Sequence, residues 1–440
     1  MTSPSLRERA RARNPLPEGA AVVGLGLGAA GITIYVFLAI AARTLGPDRY
    51  AALSTMWSIT FLAAPGFYIP LEQEVGRALS DRRARGLGGG PVIKTAGVVA
   101  GVFVVSLTVA AIAGSGPLVN DFFDNEVLLL VGFLLALAGY AVQYLMRGAL
   151  AASGRFGPYS FLLGAEGTLR MLACIGLAVA GVKTAGPYGL LIGVAAIVVI
   201  AAVAPRTRDL FEDGPEASWR ELSRALGYLL VGSVLANAMI NITPLIVTAL
   251  ASDDERSLVG KVLIALIISR VPLFLFQAVQ ASLIPQLAAL AAQDLWAAFR
   301  SKLLRLLVAV SVLAALSTAG SWVFGPWVVR TFFGAEYELS GIDMAYLAAG
   351  SGLFMVALAM SQALIAIAGY RRSAGAWTVG MVTLLGVTAI HADLLFRVER
   401  GFVAGGVATI VVLAILLAEP LRRGHTVGEI EFTSPVLPEP

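Results

Sequence analysis

The chain has 440 residues, is 58% hydrophobic and only 14% charged, and carries a mean hydropathy of +0.82 with a formal net charge of +4. Soluble domains are about half apolar, so no water-soluble core accommodates this composition and lipid must be the solvent. One cysteine, Cys174, forms no intrachain disulfide, and with His391 and His425 the only histidines neither a His/Cys metal site nor a Ser-His-Asp arrangement can be assembled.

Hydrocarbon offers no water to backbone groups, so spanning segments are helices or closed barrels. Runs such as 98–113 and 405–418, which carry no charge, are too long and too uniformly apolar for barrel strands. In chain order, Arg7, Arg9, Arg11 and Arg13 precede an apolar run at 20–42. That run exceeds the roughly 7 to 15 residues of a signal peptide's apolar region and suffices to span a bilayer, so it is kept as the first helix. Runs bounded by charge, Gly and Pro predict further helices near 50–71, 92–113, 126–146, 159–181 and 187–204, then 226–250, 258–283, 303–324, 342–368, 374–391 and 401–418.

The expected fold class is therefore an all-α integral membrane protein with about twelve transmembrane helices in two pseudo-symmetric six-helix lobes. Its expected divisions are a basic tail at 1–19, an N-terminal lobe at 20–204, a linker at 205–225, a C-terminal lobe at 226–418 and a disordered tail at 419–440. Lys and Arg set orientation during insertion. Of the 32, 22 fall on the side of the amino terminus and seven on the other, which places both termini and the linker in the cytoplasm. The halves also share ordered markers. Pro65 corresponds to Pro272, Gly116-Pro117 with Phe122-Phe123 to Gly325-Pro326 with Phe332-Phe333, and Ala149-Leu150 to Ala363-Leu364. An even number of helices per half makes such repeats parallel, related by an axis along the membrane normal.

Local marks point further. They are Ala42-Arg43-Thr44-Leu45-Gly46-Pro47-Asp48-Arg49-Tyr50 after the first helix, Pro65-Gly66 through Pro70-Leu71-Glu72-Gln73-Glu74 with Arg77, and Gly154-Arg155-Phe156 after the fourth. With these the sequence resembles the polysaccharide flippase branch of the multidrug, oligosaccharidyl-lipid and polysaccharide exporter superfamily. The resemblance implies two lobes around a cavity that opens alternately to each side of a bacterial cytoplasmic membrane. Its cargo would be an anionic lipid-linked oligosaccharide, specifically a polyprenyl-diphosphate-linked one, with membrane lipids and polysaccharide polymerase machinery as the expected partners. No cofactor, metal, nucleic acid or catalytic residue is expected, and the chain is not expected to be an enzyme. A cation-coupled multidrug exporter of the same superfamily and a membrane polysaccharide ligase or glycosyltransferase remain the alternatives.

Ionisable groups inside lipid are costly and usually face a cavity or a partner. Arg270 lies twelve residues past Leu258, about 18 Å along a helix axis and near mid-bilayer. Its guanidinium fork suits a diphosphate; an ion pair or a carbonyl clamp is the other reading. Arg170 is also near mid-depth, but Glu166 precedes it by one turn and invites an internal pair. Lys261 is placed for snorkelling or for ligand contact. Asn237 and Asn241 share a face of the seventh helix before Pro244, as a polar wall for sugar hydroxyls or as interhelical donors. Glu72 and Glu74 follow two helix-breaking prolines, with Arg77 beyond, as gating or coupling residues or as an interfacial salt bridge. The sequence at 26–31 matches a dinucleotide-binding glycine motif, but inside a spanning helix its glycines serve close packing.

Overall fold

The computed structural model describes residues 20–217, 222, 226–252, 255–390, 393–424 and 426–427, so His391 and His425 lie outside the described residues. Helix α1 (Ala20–Ala84) breaks at Gly46, whose φ of 75° is disfavoured for residues with a β-carbon. Pro47, which has no N–H to lose, opens the second arm. The chain continues as α2 (Gly90–Ala113), α3 (Val127–Ala152), α4 (Phe156–Val179) and α5 (Ala185–Val203). A 3-10 helix at Ala204–Phe211 follows, then α6 (Leu226–Leu250), α7 (Arg256–Ser269), α8 (Val271–Ala292), α9 (Trp296–Phe332), α10 (Gly341–Ala366), α11 (Tyr370–Thr388) and α12 (Leu394–Arg423). Among the described residues nine helices are by themselves long and apolar enough to cross a bilayer. The two arms of α1 make two crossings, and the end-to-end pair α7 and α8 makes one. With α11 the chain is a multi-pass, all-α membrane protein of twelve crossings, six in each lobe.

The two faces are named by the chain: the terminal face holds residues 20 and 424, and the far face holds Gly46 and the start of α12. Each lobe packs chiefly on itself, α1 on α3 and α4 and α3 on α5 in the first, α9 on α10 and α11 on α12 in the second. Close approach is achieved where side chains are absent. A β-carbon on Gly132 of α3 would come within 2.7 Å of the Gly189 carbonyl oxygen of α5, which is the small-residue contact that lipid-embedded helices use in place of hydrophobic exclusion. Capping is equally local. The Glu126 carboxylate accepts from the N–H groups of Ala185 and Gly186, both at 3.0 Å, where the positive end of α5 favours an anion.

Several helices differ from expectation. The second arm of α1 runs to Ala84 and α9 from Trp296 to Phe332, well past the apolar stretches at 50–71 and 303–324. A 37-residue helix is about 55 Å long and overshoots the bilayer, so charges such as Arg300 and Lys302 sit on helix rather than in loops. Helix α12 likewise reaches Arg423, beyond the expected start of the tail at 419. Pro65 and Pro70, expected to break the helix, lie inside α1, while Pro244 lies inside α6, within the helix expected at 226–250. The expected continuous helix at 258–283 is instead divided at Arg270, which ends α7 and precedes α8 with Pro272 in its first turn.

Candidate functional site

The prolines inside helices explain the polar residues around them. Pro65 brings no N–H to the carbonyl of Phe61 one turn earlier, and that oxygen accepts from Asn241 Nδ2 at 3.1 Å. Pro244 does the same to Ile240, whose carbonyl oxygen accepts from Arg270 Nη2. Arg270 Nη1 also donates to Asn241 Oδ1 at 3.0 Å. A polar chain thus runs from Arg270 at the α7–α8 break, through Asn241 on α6, to the second arm of α1 in the other lobe. Asn237 stands one turn away, its Nδ2 bonded to Ser233 O at 2.9 Å and its own carbonyl oxygen accepting from Asn241 at 3.0 Å.

Arg270 is partly exposed. A guanidinium carries five N–H donors; two are committed to α6, and Nε has no hydrogen-bond partner among the described residues. No carboxylate pairs with it among those residues. An unneutralised cation with free donors at a lobe boundary can bind an anion.

The boundary around it is asymmetric. Toward the far face it is closed by many contacts: Tyr35 OH donates to Ile267 O at 3.0 Å, the Thr55 and Thr248 hydroxyls meet at 3.0 Å, and Tyr337 OH donates to Ala42 O at 2.8 Å. The Tyr50 and Tyr337 rings meet edge to face at 5.6 Å, and Arg43 Nε donates to Phe332 O at 2.8 Å. Toward the terminal face the described contacts follow one edge, the second arm of α1 against α6, where Ser233 Oγ donates to Pro65 O at 3.4 Å. On the other edge the first arm of α1 turns to its own lobe, with Ser160 Oγ of α4 donating to Val22 O at 2.7 Å, while α8 packs on α9 and α10. Arg270 therefore sits one turn below the Tyr35–Ile267 contact, at the boundary between the two lobes.

Arg170 and Glu166 do not join this site. Arg170 is 2% exposed and pairs with Glu166 at 2.6 Å; Glu166 also accepts from Tyr140 OH at 3.0 Å and Gln143 Nε2 at 3.2 Å. The guanidinium lies beside the stacked rings of Phe37 and Trp57, 5.6 and 5.5 Å from their centroids. This is a neutralised cluster inside the N-terminal lobe. Glu72 pairs with Arg147 of α3 at 3.1 Å and accepts from Tyr159 OH at 3.0 Å, whereas Glu74 pairs with Arg77 at 3.0 Å. Both acids lie near the terminal face and apart from Arg270. Lys261 lies partly buried in the first turns of α7, toward the far face.

Sequence reasoning missed Arg147, Tyr159 and Tyr35 as partners, because each meets its counterpart across a long stretch of chain. Gln143 did leave a signal as a lone amide within an otherwise apolar run. It also missed Glu399, a 2% exposed acid on α12. An apolar cavity of about 220 Å³ lies between α2, α3 and the 3-10 helix, lined by Ile93, Met146 and Phe211 among others. It offers no charge to a polar ligand and is separate from Arg270.

No protein-family model matches the chain. Two uncharacterized proteins of Mycobacterium tuberculosis are each 25% identical to it, one over 412 residues, 91% of this chain and 85% of the relative, the other over 415 residues, 92% and 87%. Among solved structures, an inward-facing multidrug resistance MATE family transporter of the MOP superfamily overlaps with a TM-score of 0.73 at 16% identity, covering 89% of this chain and 96% of that one. A Vibrio cholerae MATE transporter variant gives 0.69 at 14% identity over 92% and 96%, and an outward-facing MATE family transporter 0.64 at 14% identity over 93% and 97%. Twelve transmembrane helices in two lobes are what these structures share with it, and the chain has the fold of the MATE transporters of the MOP superfamily.

Proposed function

We propose that the protein is an alternating-access exporter that carries a polyprenyl-diphosphate-linked oligosaccharide across a bacterial cytoplasmic membrane for cell-surface polysaccharide biosynthesis. The observation that carries this reading is Arg270, a cation with no carboxylate partner among the described residues, held with donors to spare at the boundary between the lobes. A diphosphate is the group such a fork recognises best, and the polyprenyl chain would remain in lipid beside the open edge between the first arm of α1 and α8. Asn237 and Asn241 offer amide groups beside it for sugar hydroxyls. Lys261 stands closer to the exit, and Glu72 and Glu74 close to the entrance.

The terminal face is read as cytoplasmic. The Lys and Arg excess lies on that side, and the overlap is greater with the inward-facing transporter than with the outward-facing one. Polymerase machinery on the far side would receive the cargo. A cation-coupled multidrug exporter is the second reading, favoured by the multidrug transporters that share the fold.

Purified protein in liposomes separates these readings. Labelled polyprenyl-diphosphate oligosaccharide should cross with the wild type and stop crossing with Arg270→Ala, while membrane insertion is unchanged. Unimpaired crossing in that variant ends the assignment of Arg270. Movement of a cationic drug with an ion instead of the lipid supports the second reading, and a change in covalent bonds of the lipid-linked sugar marks a ligase.

A further inference from the structure

Glu399 stands in the first turns of α12, 2% exposed, and its Oε1 is buried with no hydrogen-bond partner among the described residues. The helices packed against α12 are α10, α11 and α6. Helix α11 has ionisable residues only at its opposite end, Tyr370, Arg371 and Arg372, and α6 has only Tyr228, also at its opposite end. Helix α10 contributes Asp343 and Tyr346. On α12 itself, Asp393 precedes Glu399, and Arg400 is exposed with its guanidinium over the Phe396 ring at 3.5 Å. Arg397 is two residues away on the helix, which directs it to a different side.

The acids that act on Glu399 are Asp343 and Asp393, and both accept hydrogen bonds from backbone donors. Asp343 accepts from Ser340 N at 3.1 Å in a capping box, and Asp393 accepts from Phe396 N at 3.2 Å. A third carboxylate, buried beside two others and offered no cation among the described residues, is strongly disfavoured. No group of three acidic, His or Cys residues that could hold a metal ion in that part is found among the described residues.

We infer that Glu399 is a proton-binding site loaded from far-face water, with Asp343 and the exposed Asp393 beside its mouth. The carboxylate takes one proton and becomes the neutral acid, and gives it up when the packing around it loosens. The helix that carries Glu399 also touches the helix that holds Arg270. Thr409 of α12 meets Met239 of α6 at 3.8 Å, and the next two residues of α6, Ile240 and Asn241, hold Arg270. If the exporter reading is right, far-face acid then drives turnover, and that part of the inference rests on it.

Infrared pH-difference spectra of the full chain in lipid test the site without any cargo. A protonated carboxyl band should persist at neutral pH in the wild type, in Asp343→Asn and in Asp393→Asn, and vanish in Glu399→Gln. Should the Gln variant not fold, Glu399→Asp should shift the band. An unchanged spectrum in the Gln variant, or an unshifted band in the Asp variant, overturns the inference. In the same vesicles an acid far-face lumen should speed movement of labelled polyprenyl-diphosphate oligosaccharide several-fold in the wild type and have no effect in Glu399→Gln. Transport indifferent to the gradient in the wild type overturns the coupling. No movement of the labelled lipid at all, with the band present, counts against the exporter reading and leaves the proton site standing.

Discussion

Arg270 donates to the carbonyl oxygen of Ile240, the acceptor that Pro244 leaves without its helical N–H. The guanidinium is thus a structural substitute for a missing backbone donor as well as a candidate ligand for an anion, and the two roles can be separated. Arg270→Ala leaves a buried carbonyl unsatisfied, which should lower stability by about 1 to 3 kcal/mol. Pro244→Ala restores the helical N–H, so the double variant Pro244→Ala with Arg270→Ala should recover much of the thermal midpoint in detergent. It should not recover transport of the labelled lipid. Recovery of both would show that Arg270 acts only as a helix donor.

The Arg170–Glu166 pair predicts the opposite pattern, a loss of stability that outweighs any effect on cargo. Its side chains are 3% and 10% exposed, and removing one partner of a buried pair costs about 3 to 5 kcal/mol. Glu166→Gln alone should therefore lower the midpoint strongly. Replacing both residues by apolar ones of similar size, Glu166→Leu with Arg170→Met, should regain most of it, and surviving transport in that double variant is expected. Abolished transport in a well-folded double variant would return Arg170 to the binding site.

The twelve crossings were legible because lipid permits one solution to backbone pairing, and an apolar run of sufficient length declares it. Helix ends were less so: the extensions of α9 and of the second arm of α1 carry charges, and charge in water does not distinguish helix from loop. The helix-breaking reading of Pro65 and Pro70 fails for a related reason. In water a proline inside a helix leaves a carbonyl without its donor, whereas at Pro65 a side chain from another helix supplies it. Among the charges, the Glu166–Arg170 pair was readable from its one-turn spacing. Glu72 was not, because its partner Arg147 comes from α3, far along the chain. Glu399 escaped notice because the apolar run begins two residues after it, at Gly401.

The 3-10 helix after α5 is held to the N-terminal lobe by an ion pair between Asp209 and Arg155, both outside the spans. The hydrogen bond from Arg155 keeps the Asp209 carboxyl below its ordinary value of 3.8. A lowered value in the folded state means the contact contributes fully above about pH 3.8 and is lost as pH falls through the lowered value. Segment 204–217 should resist limited proteolysis from neutral pH down to the ordinary carboxylate range and become susceptible only below it. Asp209→Asn should make it susceptible at neutral pH; equal resistance in that variant would assign the anchoring to Arg82, which donates to Pro215 O at 2.9 Å.

Alternating access requires the far-face contacts to separate while some part of the α1–α6 edge stays joined. The Thr55 and Thr248 hydroxyls are 3.0 Å apart in the far half. In the terminal half, a β-carbon on Gly66 would lie 3.7 Å from that of Val234, within the span of a disulfide. Cysteines at 55 and 248 should therefore cross-link on oxidation and stop transport, with recovery on reduction. Cysteines at 66 and 234 should cross-link with transport largely preserved, because the arms would pivot there. Both variants are read with Cys174 replaced by Ala, since it is the single native thiol. Transport that continues with 55 and 248 joined would mean the far face never opens along this edge, and the rocking of two lobes about α1 and α6 would have to be abandoned.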